Sequence, residues 1–190
     1  MSSEALWALG RGTGVVALIA FTITMVLGIT ARSGRAPASV GRFGVAELHR
    51  TAALTGTALI VVHVVSLLFD PYAQLRLVDT VLPFLGSYRP LWQGLGTLAV
   101  DLLLVVTVVS LLRDKVGPKV FRAVHWATYA LWPIALGHAI GNGTDNTSPA
   151  MLGVAAGCVV AVVGAVGWRL SAGYAERGQK RAPRSLERVA

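Results

Sequence analysis

The chain has 190 residues, of which 54% are hydrophobic and only 14% charged, and its mean hydropathy is +0.64; water does not solvate such a chain, and a soluble enzyme is excluded. A formal charge of +8 and a pI near 10.6 raise the question of nucleic acid, but where the charges lie decides it. The one cysteine, Cys158, sits inside an apolar run, so neither a disulfide framework nor a thiolate metal site can be built from this chain.

Five apolar segments follow in chain order, each long enough to cross about 30 Å of hydrocarbon as a helix. The first, residues 5–29, is preceded by Glu4 rather than a basic leader and ends at no cleavage signal, so it is expected to stay in the mature protein. The second covers 45–69 and is joined to the third, 91–112, by a link too long for a simple turn. The fourth covers 120–140 with Pro133 inside it, and the fifth covers 150–170. The expectation is an all-α polytopic membrane protein: a bundle of five transmembrane helices over residues 1–175, then a basic tail over 176–190.

Charge sets the orientation. The link after the first helix holds Arg32, Arg35, Arg42 and Arg50; the link after the third holds Arg113, Lys115, Lys119 and Arg122; the tail holds Arg169, Arg177, Lys180, Arg181, Arg184 and Arg188. The opposite side has only Arg11, Arg76 and Arg89. The positive-inside bias therefore puts the N-terminus outside and the C-terminus in the cytoplasm of a multi-pass protein of the inner or plasma membrane. Topology accounts for the net charge, the lipid bilayer is the partner it implies, and no nucleic acid is needed.

In this topology the second and fourth helices run parallel, and they carry all four histidines: His49 and His63, His125 and His138. An ionisable side chain in a spanning helix is costly and by default faces the bundle interior with a function. Spacings of 14 and 13 residues separate each pair by roughly 20 Å of rise. His49 and His125 then share the cytoplasmic level, and His63 and His138 the outer one. Bis-imidazole ligation of haem iron uses such facing pairs. Zinc, which takes about four ligands around one point, suits them less, and a histidine proton relay leaves the pairing by depth unexplained. For any single histidine, a satisfied helix contact is the alternative. Phase supports a common face for His49 and His63, about 40° apart, with Gly56 between them leaving room for a flat macrocycle. His125 and His138 fall about 140° apart on an ideal helix, and a kink at Pro133 is the expected repair.

These spacings, with Leu48-His49-Arg50, Asp70-Pro71-Tyr72, Tyr88-Arg89-Pro90-Leu91-Trp92, Val124-His125-Trp126 and Gly143-Thr144-Asp145, resemble the ferric reductase-like transmembrane domain family. That family includes ferric reductases, NADPH oxidases and the haem-binding membrane subunit of the bacterial periplasmic methionine sulfoxide reductase system, whose actinobacterial branch the flanking words look like. The resemblance spans about 6–170 and implies a haem-binding domain with two haem b groups, one on His49 and His125 and one on His63 and His138. The function implied is electron relay across the membrane to an extracytoplasmic acceptor, a protein or ferric ion. Ferric reductases and NADPH oxidases append a flavin and nicotinamide region, whereas here only a basic stretch of about 20 residues follows the last helix. Gly10-Arg11-Gly12-Thr13-Gly14 has the wrong spacing for a dinucleotide fingerprint. The donor is therefore expected to be a cytoplasmic flavoprotein or a quinol, with any flavin supplied by a partner. The chain is best read as an oxidoreductase electron-transfer subunit without its own catalytic residues.

Haem propionates favour arginine. Arg50 and Arg122 flank the inner histidines and Arg11 and Arg89 the outer ones; a topological role at the headgroups competes for the first two. Arg11 lies inside a helix and needs a partner, either an outer propionate or Asp101, for which pairing is favoured over proton relay. Trp126, Tyr129 and Trp132 either pack on a macrocycle or serve the core and interface. The 70–90 link and residues 141–145 either cap the outer site or are plain connections, the default. The rival readings are a terminal ferric or oxygen reductase at the outer haem, a haem-free histidine-containing transporter, and an anchor that assembles a partner.

Overall fold

A computed structural model describes residues 2–33 and 41–171. The basic tail over 176–190 and Arg35 lie outside the described residues, as does the side chain of Arg42. The described chain is all-helical: α1 (Ser3–Arg32), α2 (Gly41–Leu68), a 3-10 turn (Leu77–Thr80), α3 (Pro90–Leu111), α4 (Arg113–His125), α5 (Thr128–Asn142) and α6 (Pro149–Leu170).

The helix ends follow from local chemistry. Ser2 caps α1 by accepting the Ala5 N–H at 3.3 Å, with Glu4 in the first turn and Arg32 in the last, which suits the helix dipole. Ser148 caps α6 in the same way, and Pro149 fills its first turn, where no N–H partner is lost. Hydrocarbon offers hydroxyl groups no partner, and the threonines at 13, 22, 24, 30 and 57 each donate to the carbonyl four residues back, at 2.6–2.8 Å.

Among the described residues, four helices are long and apolar enough to cross a membrane: α1, residues Phe43–Leu68 of α2, α3 and α6. Their outward faces are apolar and open, as at Val61, Leu104 and Val160, so lipid is the medium that covers them. Helix α1 packs along α2 and also touches α5 and α6, while α3 packs on α5. Leu18 of α1, Trp132 of α5, and Cys158 and Val162 of α6 form the buried core. The Trp132 indole donates to Thr22 Oγ1 at 2.9 Å, fixing α5 to α1.

The expected fourth crossing, residues 120–140, is instead two helices. Gly117, at φ 80°, and Pro118 interrupt the start of α4, and the chain breaks again at Trp126–Ala127. The rotation ascribed to Pro133 occurs at that second break, and Pro133 sits within α5. Ala127, Tyr129 and Ala130 donate three residues back, to Val124, Trp126 and Ala127, at 2.9–3.1 Å. Each residue in such a tightened turn rotates about 120° instead of 100°, so three or four of them reduce the 140° offset of His125 and His138 to roughly 60–80°. Arg169 of α6 holds the break: its guanidinium lies 4.8 Å over the Trp126 ring and hydrogen-bonds the Tyr129 hydroxyl. Trp126 and Tyr129 are thus a clamp, and Trp132 belongs to the core.

Candidate functional site

The histidines meet in two pairs. The ring centroids of His49 and His125 lie 6.2 Å apart and those of His63 and His138 6.3 Å apart. Two metal–imidazole bonds of about 2.0–2.1 Å, with about 1.1–1.2 Å from each nitrogen to its ring centre, separate centroids across one metal ion by about 6.2–6.6 Å. Both pairs match that span. Among the described residues no group of three or more His, Cys, Asp or Glu is placed to hold a metal ion; what they offer at each level is a pair of imidazoles.

Each ring's protonation follows from its partner. His49 Nδ1 lies 2.8 Å from the Thr24 carbonyl, His63 Nδ1 2.6 Å from that of Gly10 and His138 Nδ1 2.8 Å from that of Trp92. A carbonyl only accepts, so these Nδ1 atoms carry the proton and Nε2 keeps a lone pair available for ligation. His125 Nδ1 is buried with no hydrogen-bond partner among the described residues. Its ring instead stacks on Phe121, centroids 5.2 Å apart.

The close approach of three of these rings depends on glycine. A Cβ on Gly14 would lie 2.9 Å from His63, one on Gly28 3.1 Å from His49, and one on Gly96 2.5 Å from His138. In every case the glycine follows the accepting carbonyl by four residues: Gly10 and Gly14, Thr24 and Gly28, Trp92 and Gly96. The bare turn lets the imidazole reach that carbonyl. Helix α1 repeats the arrangement after 14 residues, the spacing of His49 and His63 on its antiparallel neighbour. The carbonyl-to-glycine pattern escaped the reading of the sequence, although the 14-residue repeat is written in it. Gly56 does not leave open room: a Cβ there would lie 3.0 Å from the Phe21 ring.

A cavity of about 350 Å³ opens beside the outer pair, lined by His63, His138, Gly14, Gly96 and Arg11, and by Asp70, Tyr72 and Tyr88 of the 70–90 link. That link is a built cover. Asp79, 1% exposed, receives Arg76 Nη2 at 2.8 Å and Nε at 3.0 Å, while its carbonyl accepts the Thr97 hydroxyl at 2.6 Å. The Arg76 hydrogen bonds hold the Asp79 carboxyl below the usual carboxylate range. Asp70 Oδ2, Gln93 Nε2 and Asn142 Oδ1 are buried without partners among the described residues, and all three residues line the cavity.

Arg11 pairs with Asp145 at 2.9 Å, hydrogen-bonds Thr144 and lies 4.9 Å over the Trp7 ring. The expected partner Asp101 is half-buried on α3; the acid that meets Arg11 comes from the loop after α5, which is thereby fastened over the outer cavity. Arg89 stands just before α3, and its guanidinium donates to the Gly141 carbonyl of α5 at 2.8 Å. Arg50 is exposed beside His49, and Arg122, also exposed, donates to Pro118 at 3.1 Å. Of the four arginines, Arg11 lines the cavity.

The family profile described as ferric reductase like transmembrane component matches residues 13–136, about two thirds of the chain. The aligned stretch includes His49, His63 and His125 and ends two residues before His138. No curated protein and no solved structure matches the chain.

Proposed function

The chain belongs to the family of ferric reductase-like transmembrane components, a multi-pass membrane protein of an electron-transfer type, and on that premise we propose that it is a five-span, di-haem b cytochrome carrying electrons outward across the inner or plasma membrane. The observation that carries this reading is the double imidazole pairing at 6.2 and 6.3 Å, with three Nδ1 protons committed to carbonyls and Nε2 left free to ligate. The residues fit haem: His49 and His125 would hold the inner group, His63 and His138 the outer. Bound iron supplies a reversible one-electron centre.

The protein's own contribution is orientation and exclusion. Thr24, Gly10 and Trp92 carbonyls fix three rings and raise their basicity as ligands. Phe21, Leu18 and Leu131 line the outer cavity with apolar surface, which keeps water from the interior face. Arg11 and the buried Gln93 Nε2, both donors, are suited to the carboxylate edge of a porphyrin on the outer side. The charge bias at the helix ends supports an outside N-terminus, with α4 and α5 together forming the fourth of the five crossings. The donor is a cytoplasmic flavoprotein or quinol, and the acceptor an extracytoplasmic protein or ferric ion received over the 70–90 and 141–145 segments.

Purified protein should show a Soret band, two haems per chain by pyridine haemochrome, and two low-spin ferric signals by electron paramagnetic resonance (EPR). A colourless preparation that takes up ions in a histidine-dependent way would replace the cytochrome with a transporter. His63→Ala should remove the outer haem and outward transfer while sparing the inner haem; loss of both or of neither would break the assignment of pairs.

A further inference from the structure

Three of the four imidazoles are held alike and the fourth is not. His49, His63 and His138 each donate Nδ1–H to a carbonyl on a neighbouring helix, across a turn opened by glycine. On α1 the two cradles are 14 residues apart. Counting the same 14 residues along α3 from Trp92 and Gly96 reaches Val106 and Ser110. The place where a fourth glycine would stand carries a side chain. His125 has a buried Nδ1 with no partner among the described residues and leans on Phe121, one turn back on its own helix. It is also the last residue of α4, directly before the break at Trp126–Ala127.

We infer that His125 is the exchangeable ligand of the inner pair and that Phe121 is its positioning residue. The inference rests on the di-haem reading. A hydrogen bond from Nδ1–H to a carbonyl strengthens Nε2 as a donor and locks the ring. His125 has neither advantage, and ligation leaves its Nδ1–H buried and unpaired, a cost that ends when the ring turns away. In the reduced protein a small neutral ligand such as carbon monoxide therefore replaces it. The iron–Nε2 bond breaks, an iron–carbon bond forms, His125 leaves as neutral imidazole, and no electron or proton is transferred. His63 and His138, both locked, hold the outer site closed to the same ligand.

The test is carbon monoxide titration of the dithionite-reduced full chain, followed by Soret absorbance. One of the two haems should shift, and the shift should persist in His63→Ala, which retains the inner group. Phe121→Leu should move one of the two ferric EPR signals, leave the other in place and raise carbon monoxide affinity about tenfold; a merely structural role for Phe121 would move both signals or neither. Because the wild-type titration needs no substitution, it can overturn the inference even if a variant fails to fold. Two bound haems that both shift, or neither of which shifts, overturn this inference and leave the di-haem reading intact. A preparation that binds no haem overturns both.

Discussion

Gly96→Ala should displace His138 and loosen the outer site. The added Cβ would lie 2.5 Å from Cε1 and 2.6 Å from Nδ1 of the ring, whereas ordinary contact begins near 3.4 Å, so the imidazole must retreat by nearly 1 Å. The 2.8 Å bond from Nδ1 to the Trp92 carbonyl then stretches past its working range. Loss of such a partner behind a metal ligand typically lowers affinity about 10–100-fold, or roughly 1.4–2.7 kcal/mol. Haem content per chain after stepwise removal of free haem, read by pyridine haemochrome, should fall towards one, and the EPR signal that survives should be that of the inner group. Gly12→Ala is the control, because nothing lies within 4 Å of a Cβ there, and it should bind as the wild type does. If Gly96→Ala keeps two haems with unaltered signals and midpoint potentials, the carbonyl-and-glycine cradle has no bearing on ligation.

Three further outcomes are expected. Gly28→Ala, with its Cβ 3.1 Å from His49, should weaken the inner haem more mildly than Gly96→Ala weakens the outer, because the ring needs to move only a few tenths of an ångström; haem stoichiometry and EPR read the difference. Arg11→Gln should free the loop after α5, since it loses the 2.9 Å ion pair with Asp145, and hydrogen exchange over residues 141–148 should accelerate while α6 stays protected. The cover over the outer cavity should loosen in acid. The Asp79 pKa is lowered by Arg76, so its contribution is fully present above the unfolded carboxylate value, about 3.9, and is lost as pH falls through the lower folded value. Proteolysis of the 70–90 link should accelerate only in that acid range, and an unchanged rate there would refute the role of the pair.

Much of this was legible because hydrophobicity and titratable groups are read residue by residue. Runs of apolar residues marked α1, α2, α3 and α6, and the 14- and 13-residue histidine spacings marked which rings meet. What escaped the sequence depends on how elements touch. The 13-residue spacing signalled that the helix could not be regular, but proline drew attention to residue 133, whereas the tightened turn lies at Trp126–Ala127, where Arg169 from a distant helix holds it. Helical phase placed Gly56 on the histidine face without revealing that Phe21 occupies the space beside it. Asp101 drew attention as an acid in a spanning helix, yet the partner of Arg11 is Asp145, contributed by a polar loop whose position no periodicity encodes.

The paired cradles of α1 make that helix a ruler for the whole device. Its notches at Gly14 and Gly28 are cut to the same gauge as His49 and His63, so the vertical distance between tiers is fixed by peptide geometry before any cofactor arrives. Substitutions at the exposed positions between the notches, Val16, Ile19 and Ile23, alter only what the helix shows to lipid. Deleting one residue there would swing one notch about 100° away from its imidazole, so on that outward side the stretch is far more sensitive to its length than to its spelling.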